Sequence, residues 1–225
     1  MLVISPHLDD AALGCGQLLA ASPGSVVVTV FAGTPDDADR LTDWDARCGF
    51  ASARDAITQR RAEDARALRL LGAEPHWLSF CDDQYGQACD AETLRNALLL
   101  AVKALRPQRL LYPMGLFHSD HRRVHDAVRA VLPQLPGVEA WMYEDALYRG
   151  MPGLLQRRLG EFANARWRAT PVRLAAETGS AALKAEAVQA YASQVRTFGP
   201  QGLDDAAEPE RCWLLVPEEE GDDDR

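Results

Sequence analysis

Leu2-Val3-Ile4-Ser5-Pro6-His7-Leu8-Asp9-Asp10 runs into Ala11-Ala12-Leu13-Gly14-Cys15-Gly16, and the change of pattern inside this stretch decides the fold. Leu2 to Ile4 is an apolar strand. It breaks at Ser5-Pro6, because proline has no amide to donate to a ladder. Leu13, Leu18 and Leu19 then recur at helical spacing. One imidazole and two carboxylates lie at the junction, and in open α/β sheets ligands bind where strands end and helices begin. Asp9 or Asp10 can cap the new helix. Capping does not account for the histidine and the second acid. His7 and Asp10 form a nitrogen and oxygen pair suited to zinc, which leaves Asp9 free as a base on water.

The pattern repeats along the chain. Val26 to Phe31 reads as the second strand, and a long loop follows, from Thr34 to about Ala53. That loop overhangs the same mouth, with Trp44 and Arg47 as candidate sugar contacts through stacking and hydroxyl binding. Arg54 to Leu71 reads as an amphipathic helix with Ile57, Ala65, Leu68 and Leu71 toward the core, stopped by Gly72. Trp77 to Phe80 reads as the third strand, with Asp82 and Asp83 beyond it and His76 structural at its other end. Asp90 caps a helix over Ala91 to Leu105, and Arg109 to Tyr112 is the fourth strand. A helix follows over about His121 to Leu132. This alternation predicts an α/β fold with a mainly parallel sheet, a Rossmann-like three-layer sandwich. Glu139 to Leu147 reads as a further strand, Ala181 to Val195 as a helix and Trp213 to Val216 as a short last strand, while Arg157 to Arg173 fits no pattern. One domain over residues 1–217 and an acidic, disordered tail over 218–225 are expected.

The bulk numbers narrow the function. With 225 residues the chain can bury a sizeable core. Its 33 acidic and 24 basic residues give a net charge of -9, which argues against a general binder of nucleic acid or anionic membrane. Cys15, Cys48, Cys81, Cys89 and Cys212 are scattered without a CxxC pair, which argues against a cysteine zinc site, and reduced, cytoplasmic thiols are expected. No apolar run approaches the ~20 residues of a membrane helix.

The fourth strand is followed by Leu116-Phe117-His118-Ser119-Asp120-His121, with His125 four residues on. A histidine in the first turn of that helix, where His121 falls, can meet His7 and Asp10. Two His and one Asp leave a fourth position on zinc open, the arrangement of a catalytic site. His125, one turn along, competes for the same role.

At these residues the chain resembles a family. Pro6-His7-Leu8-Asp9-Asp10 is similar to the (P/A)HPDDE signature of the PIG-L/LmbE-like zinc N-deacetylases, and His118-Ser119-Asp120-His121 to their HPDH signature. Arg60 to Gly72, Asp83 and Lys184 to Gln194 follow the same general pattern. The resemblance implies one zinc ion, with Fe²⁺ as an alternative, on His7, Asp10 and His121. It implies Asp9 as general base, His118 polarising the acyl oxygen or protonating the leaving amine, and Asp120 orienting His118. It departs at Leu8 and Ser119, where the family has proline, and at Ala11, where it has Glu. Leu116 and Phe117 offer no hydroxyl, whereas some members place a Tyr there.

The expected activity is removal of the N-acetyl group from an N-acetylglucosamine-type conjugate, with Trp44, Arg47, Asp82, Asp83 and Phe117 as pocket walls. The partner is then a small amino-sugar conjugate, with no nucleic acid and no transmembrane segment; a homo-oligomer is left open. The competing readings are a zinc hydrolase of another amide or acyl group and a non-catalytic metal or sugar binder. A nucleotide-binding reading fails, because Gly14-Cys15-Gly16 lacks the GxGxxG context and two carboxylates would repel a pyrophosphate.

Overall fold

The structure, a computed structural model, describes residues 1–87, 89–174 and 179–218, without the side chains of residues 200 and 201. Strands β1 (Leu2–Ser5), β2 (Val26–Thr29), β3 (Glu74–Trp77), β4 (Arg109–Pro113), β5 (Glu139–Tyr143), β6 (Trp167–Val172) and β7 (Cys212–Pro217) form one sheet, in the order β3-β2-β1-β4-β5-β7-β6. The first five in that order are mutually parallel, and β7 and β6 continue the sheet antiparallel.

Successive residues of the central strands point to opposite layers. Leu2, Ile4, Val28, Leu110 and Tyr112 pack on one face with Leu98, Val124 and Val128. These come from α4 (Ala91–Leu105) and α5 (Ser119–Val131). Val3, Val27 and Leu111 pack on the other with Leu19, Leu68 and Ala187, from α1 (Asp10–Ala20), α3 (Ala53–Leu70) and α7 (Ser180–Gln189). Both faces are covered, giving the expected three layers.

The strand order places the site. From β1 the chain moves outward through β2 to β3, then returns to the opposite side of β1 for β4. The loops leaving β1 and β4 therefore diverge, and a crevice opens between them. Register Leu2↔Leu110 and Val3↔Leu111 sets those two strand ends level.

Several expectations are corrected. The loop after β2 carries a short helix, α2 (Asp43–Cys48), capped by Thr42, whose hydroxyl accepts from the Asp45 amide at 3.1 Å. The third strand lies three residues earlier than expected, and His76 sits within it, opposite Val28. β5 stops at Tyr143, so Glu144 and Asp145 follow the strand. The unassigned stretch contains most of α6 (Leu154–Asn164) and all of β6. The single helix expected over Ala181 to Val195 is α7 followed by α8 (Ala192–Ala207), which breaks at Gly199, φ 67°. Ala65 is half-buried, whereas Ile57, Leu68 and Leu71 are in the core. The acidic tail lies outside the described residues except for Glu218, whose amide donates to the Arg166 carbonyl at 2.9 Å. Among the described residues no helix is long and apolar enough to cross a membrane.

Candidate metal centre and active site

Neither aspartate after β1 caps α1 with its side chain. Ser5 takes that role instead: its hydroxyl accepts from the Ala11 amide at 3.0 Å and donates to the His7 carbonyl at 2.7 Å. Asp10 turns back and accepts from the His7 amide at 2.8 Å. The Asp9 carboxylate is left, 8 % exposed, with no hydrogen bond or ion pair among the described residues. Its pKa is pushed up to about 7, by burial first and by the Asp10 charge second.

His7, Asp10 and His121 converge, with candidate ligand atoms within 4.8 Å of one another. Asp10 Oδ2 lies 3.3 Å from His7 Nδ1 and 3.2 Å from His121 Nε2. The far nitrogen of each ring is held by a second carboxylate. His7 Nε2 is 3.1 Å from Asp120 Oδ2, and His121 Nδ1 is 2.6 Å from Asp145 Oδ1. Such outer carboxylates fix ring orientation and raise ligand basicity. Burial opposes a charge on His121, but Asp10 and Asp145 outweigh it and raise its pKa to about 9. His7 is likewise raised: burial opposes this, and Asp82, Asp10 and Asp120 prevail. Asp10 is held down despite its burial, chiefly by His121. Two imidazoles, each braced from behind, and the Asp10 carboxylate between them form a donor set that fits a divalent ion of the zinc type.

A second grouping, His7, His118 and Asp120, shares His7. There the Asp120 carboxylate is already engaged by His7, by the Asp83 amide at 3.0 Å and by Arg123 at 3.1 Å. This corrects the expected role of Asp120: its carboxylate orients His7, and its backbone amide orients His118. As N-cap of α5, His118 accepts that amide on Nδ1 at 3.2 Å. The neutral ring then carries its hydrogen on Nε2. Burial, and next the neighbouring His7 and His121, lower its pKa.

His125 lies elsewhere, stacked on Phe162 with Nδ1 donating to the Pro113 carbonyl at 3.0 Å. It is a buried neutral histidine, its pKa lowered by burial to about 3.

Over the centre lies a cavity of about 360 Å³ lined in part by Trp44, Arg60, Asp82, Gln84, Tyr148, Gln194 and Phe198, besides Asp9 and His118. Trp44 and Asp82 stand where the loops after β2 and β3 were expected to bring them. Arg47 does not line the cavity: it is exposed and stacks over Trp44 at 5.0 Å. The lining cation is Arg60, buried, paired with Asp45 at 2.9 Å, its Nε without a partner among the described residues. Asp83 turns away to Ser119 at 3.0 Å and Arg123 at 3.2 Å. Phe117 sits outside the lining, against Tyr148.

Tyr148 and Phe198 were not named from sequence, Arg60 and Gln194 only as ends of stretches that follow the family pattern, and Asp145 only as an acid on the expected fifth strand. Asp145 carried a usable signal, an acid at the C-terminal end of the next parallel strand. The aromatic positions carried none, since Tyr148 and Phe198 lie in stretches without a motif.

Comparison with known proteins agrees with this geometry. The family described as PIG-L, GlcNAc-PI de-N-acetylase, matches residues 2–132. The 2'-N-acetylparomamine deacetylase of Streptomyces fradiae is 35% identical over 168 residues, 66% of this chain and 57% of that protein. The chain thus spans less than two thirds of that relative's length. Among solved structures, the antimicrobial reagent A40926 pseudoaglycone deacetylase Dbv21 superposes with a TM-score of 0.79 at 25% identity, covering 97% of both chains. The zinc inhibited form of teicoplanin deacetylase Orf2 shares the fold, with a TM-score of 0.78 at 22% identity over 98% of this chain and 99% of that one. With both signature stretches inside the matched residues and their side chains gathered at one cavity, the chain belongs to the PIG-L, GlcNAc-PI de-N-acetylase family.

Proposed function

We propose that the protein is a zinc-dependent N-deacetylase that hydrolyses the acetamide of an N-acetylglucosamine-type conjugate to a free amine and acetate. The observation that carries this reading is Asp9, a buried carboxylate with no hydrogen bond or ion pair among the described residues, beside the His7, Asp10 and His121 donor set. A site built for binding alone has no use for such a group. Relatives named as deacetylases of 2'-N-acetylparomamine and of A40926 pseudoaglycone support the same class of reaction.

Held by His7, Asp10 and His121, zinc would supply a Lewis acid that acidifies a water and polarises an acyl oxygen. Asp9 takes the proton of the attacking water, and the same carboxyl then hands it to the departing nitrogen. A buried carboxylate that lines the cavity is placed both to accept and to return that proton. His118, which lines the cavity, acts as a neutral donor: with Nδ1 occupied by the Asp120 amide, its hydrogen is on Nε2, available to stabilise charge on the acyl oxygen. Arg60, Asp82 and Gln84 offer partners for sugar hydroxyls. Five free thiols accord with a cytoplasmic setting.

The test is metal analysis of the purified protein, with release of free amine from N-acetylglucosamine glycosides before and after chelation. Amine released by the zinc-loaded protein and lost on chelation is the expected result. Zinc bound without amine from any glycoside would overturn the reading.

A further inference from the structure

The cavity lining mixes polar groups, Asp9, Arg60, Asp82 and Gln84, with an apolar side that includes Tyr148, Leu147 and Phe198. The apolar side begins at the centre itself, where the Tyr148 ring stands edge-on to His121 at 5.6 Å. It continues outward to Phe117, whose ring lies 5.4 Å from that of Tyr148. Laterally it continues through Leu147, which packs with Phe198 in one apolar cluster. Phe117 is 55% exposed although it immediately precedes His118. The Tyr148 hydroxyl, like that of the buried Tyr112, has no hydrogen-bond partner among the described residues, whereas those of Tyr85, Tyr143 and Tyr191 are each tied to a carboxylate or carbonyl. An aromatic surface left open at the rim of a reactive cavity is the mark of a binding surface.

Resting on the deacetylase reading, we infer that this wall is the subsite for an aglycone with an apolar face, an aryl ring in the simplest case. The chemistry of the sugar fixes the distance. The acetamide is on C2 and the aglycone on C1, so the aglycone starts one carbon from the reacting group and must meet residues that touch the centre. Tyr148 is such a residue, and Phe117 extends its surface by one ring. The sugar hydroxyls then face Asp82, Gln84 and Arg60.

The experiment measures binding, on zinc-loaded Asp9→Asn protein, of the methyl, phenyl and 2-aminoethyl glycosides of N-acetylglucosamine. The phenyl glycoside is expected to bind about tenfold or more tightly than the methyl one, and Phe117→Ser or Phe198→Ser added to this background to cut the ratio below about threefold. A ratio near one before these changes, a ratio that survives both of them, or tighter binding of the aminoethyl than of the phenyl glycoside would overturn the inference. Wild-type protein is assayed separately for released amine. Its failure there sinks the deacetylase reading and leaves the binding ratio to decide the subsite.

Discussion

Asp9 and Asp10 leave the same turn with opposite pKa shifts, the first raised to about 7 by burial and the second held down by His121 and His7. Asp9→Asn is therefore expected to keep zinc and lose about 10²–10⁴-fold in kcat, the usual worth of a positioned base. Asp145→Asn should weaken zinc by roughly 10–100-fold, as loss of an outer partner does, and Asp10→Asn by more. Competition with a chelator ranks the three; near-normal turnover in the Asp9 variant would remove its role. Zinc uptake should also release protons. Without metal, His7 and His121 are raised and carry their second proton at pH 7, and each must lose it to ligate. Net proton release from the two histidines is therefore expected. Affinity rises with pH until about 9, where His121 deprotonates unaided. Calorimetry in two buffers of different ionisation enthalpy counts the protons, and fewer than one per chain would contradict the braced geometry. At this scale the convergence of His7, Asp10 and His121 was legible, because they follow the ends of β1 and β4, where chemistry collects. The partner of each ring was not, since Asp120 was expected to hold His118 and Asp145 lies 24 residues beyond His121.

Helix α4 was legible to its ends because Asp90 caps it, with the Thr93 amide at 2.7 Å, and Leu94, Leu98 and Val102 repeat on its buried side. Strand β3 was displaced toward Trp77 to Phe80 because it is an edge strand whose Glu74, Pro75 and His76 are exposed and carry no apolar alternation. α2 was missed because six residues are too few to show a period. In α6 a buried Arg158 interrupts the apolar stripe of Leu154 and Phe162. The chain beyond β2 is fixed by close backbone approach. Gly33 donates to the Phe80 carbonyl at 2.8 Å, and a Cβ on Gly33 would collide with the Ser79 carbonyl. Gly33→Ala is expected to cost about 1–3 kcal/mol. Gly160, inside α6 with open space around it, should behave oppositely, with Gly160→Ala gaining up to about 1 kcal/mol. Denaturant midpoints of the two variants test this, and equal values would mean that the approach at Gly33 is relaxed at little cost.

For the molecule as a whole, a cavity walled by α2, α8 and the segments after β3 and β5 is larger than an acetamide requires. Free N-acetylglucosamine should accordingly be a poor substrate and a larger glycoside a better one, because contacts remote from the amide orient it. Comparison of kcat/KM along a series of growing glycosides measures this, and Trp44→Ala should narrow the spread; a flat series would show that the outer wall contributes nothing. The parallel sheet was legible as a whole because its alternation is regular, whereas the roof was not, since Gln194 and Phe198 reach the cavity from α8 across the entire length of the chain. That division has a consequence for how such a protein can diversify. The proposed base Asp9 and the donor set His7, Asp10 and His121 lie within residues 2–132, the stretch the family matches, while Leu147, Tyr148, Gln194 and Phe198 lie beyond it. The cavity walls thus come from both stretches, since Trp44, Arg60, Asp82 and Gln84 lie within residues 2–132 as well. A chimera that keeps residues 1–146 and takes its remainder from a relative would carry the same bond-breaking apparatus under a new roof, with Asp145 as the one tether that must travel with the ligands.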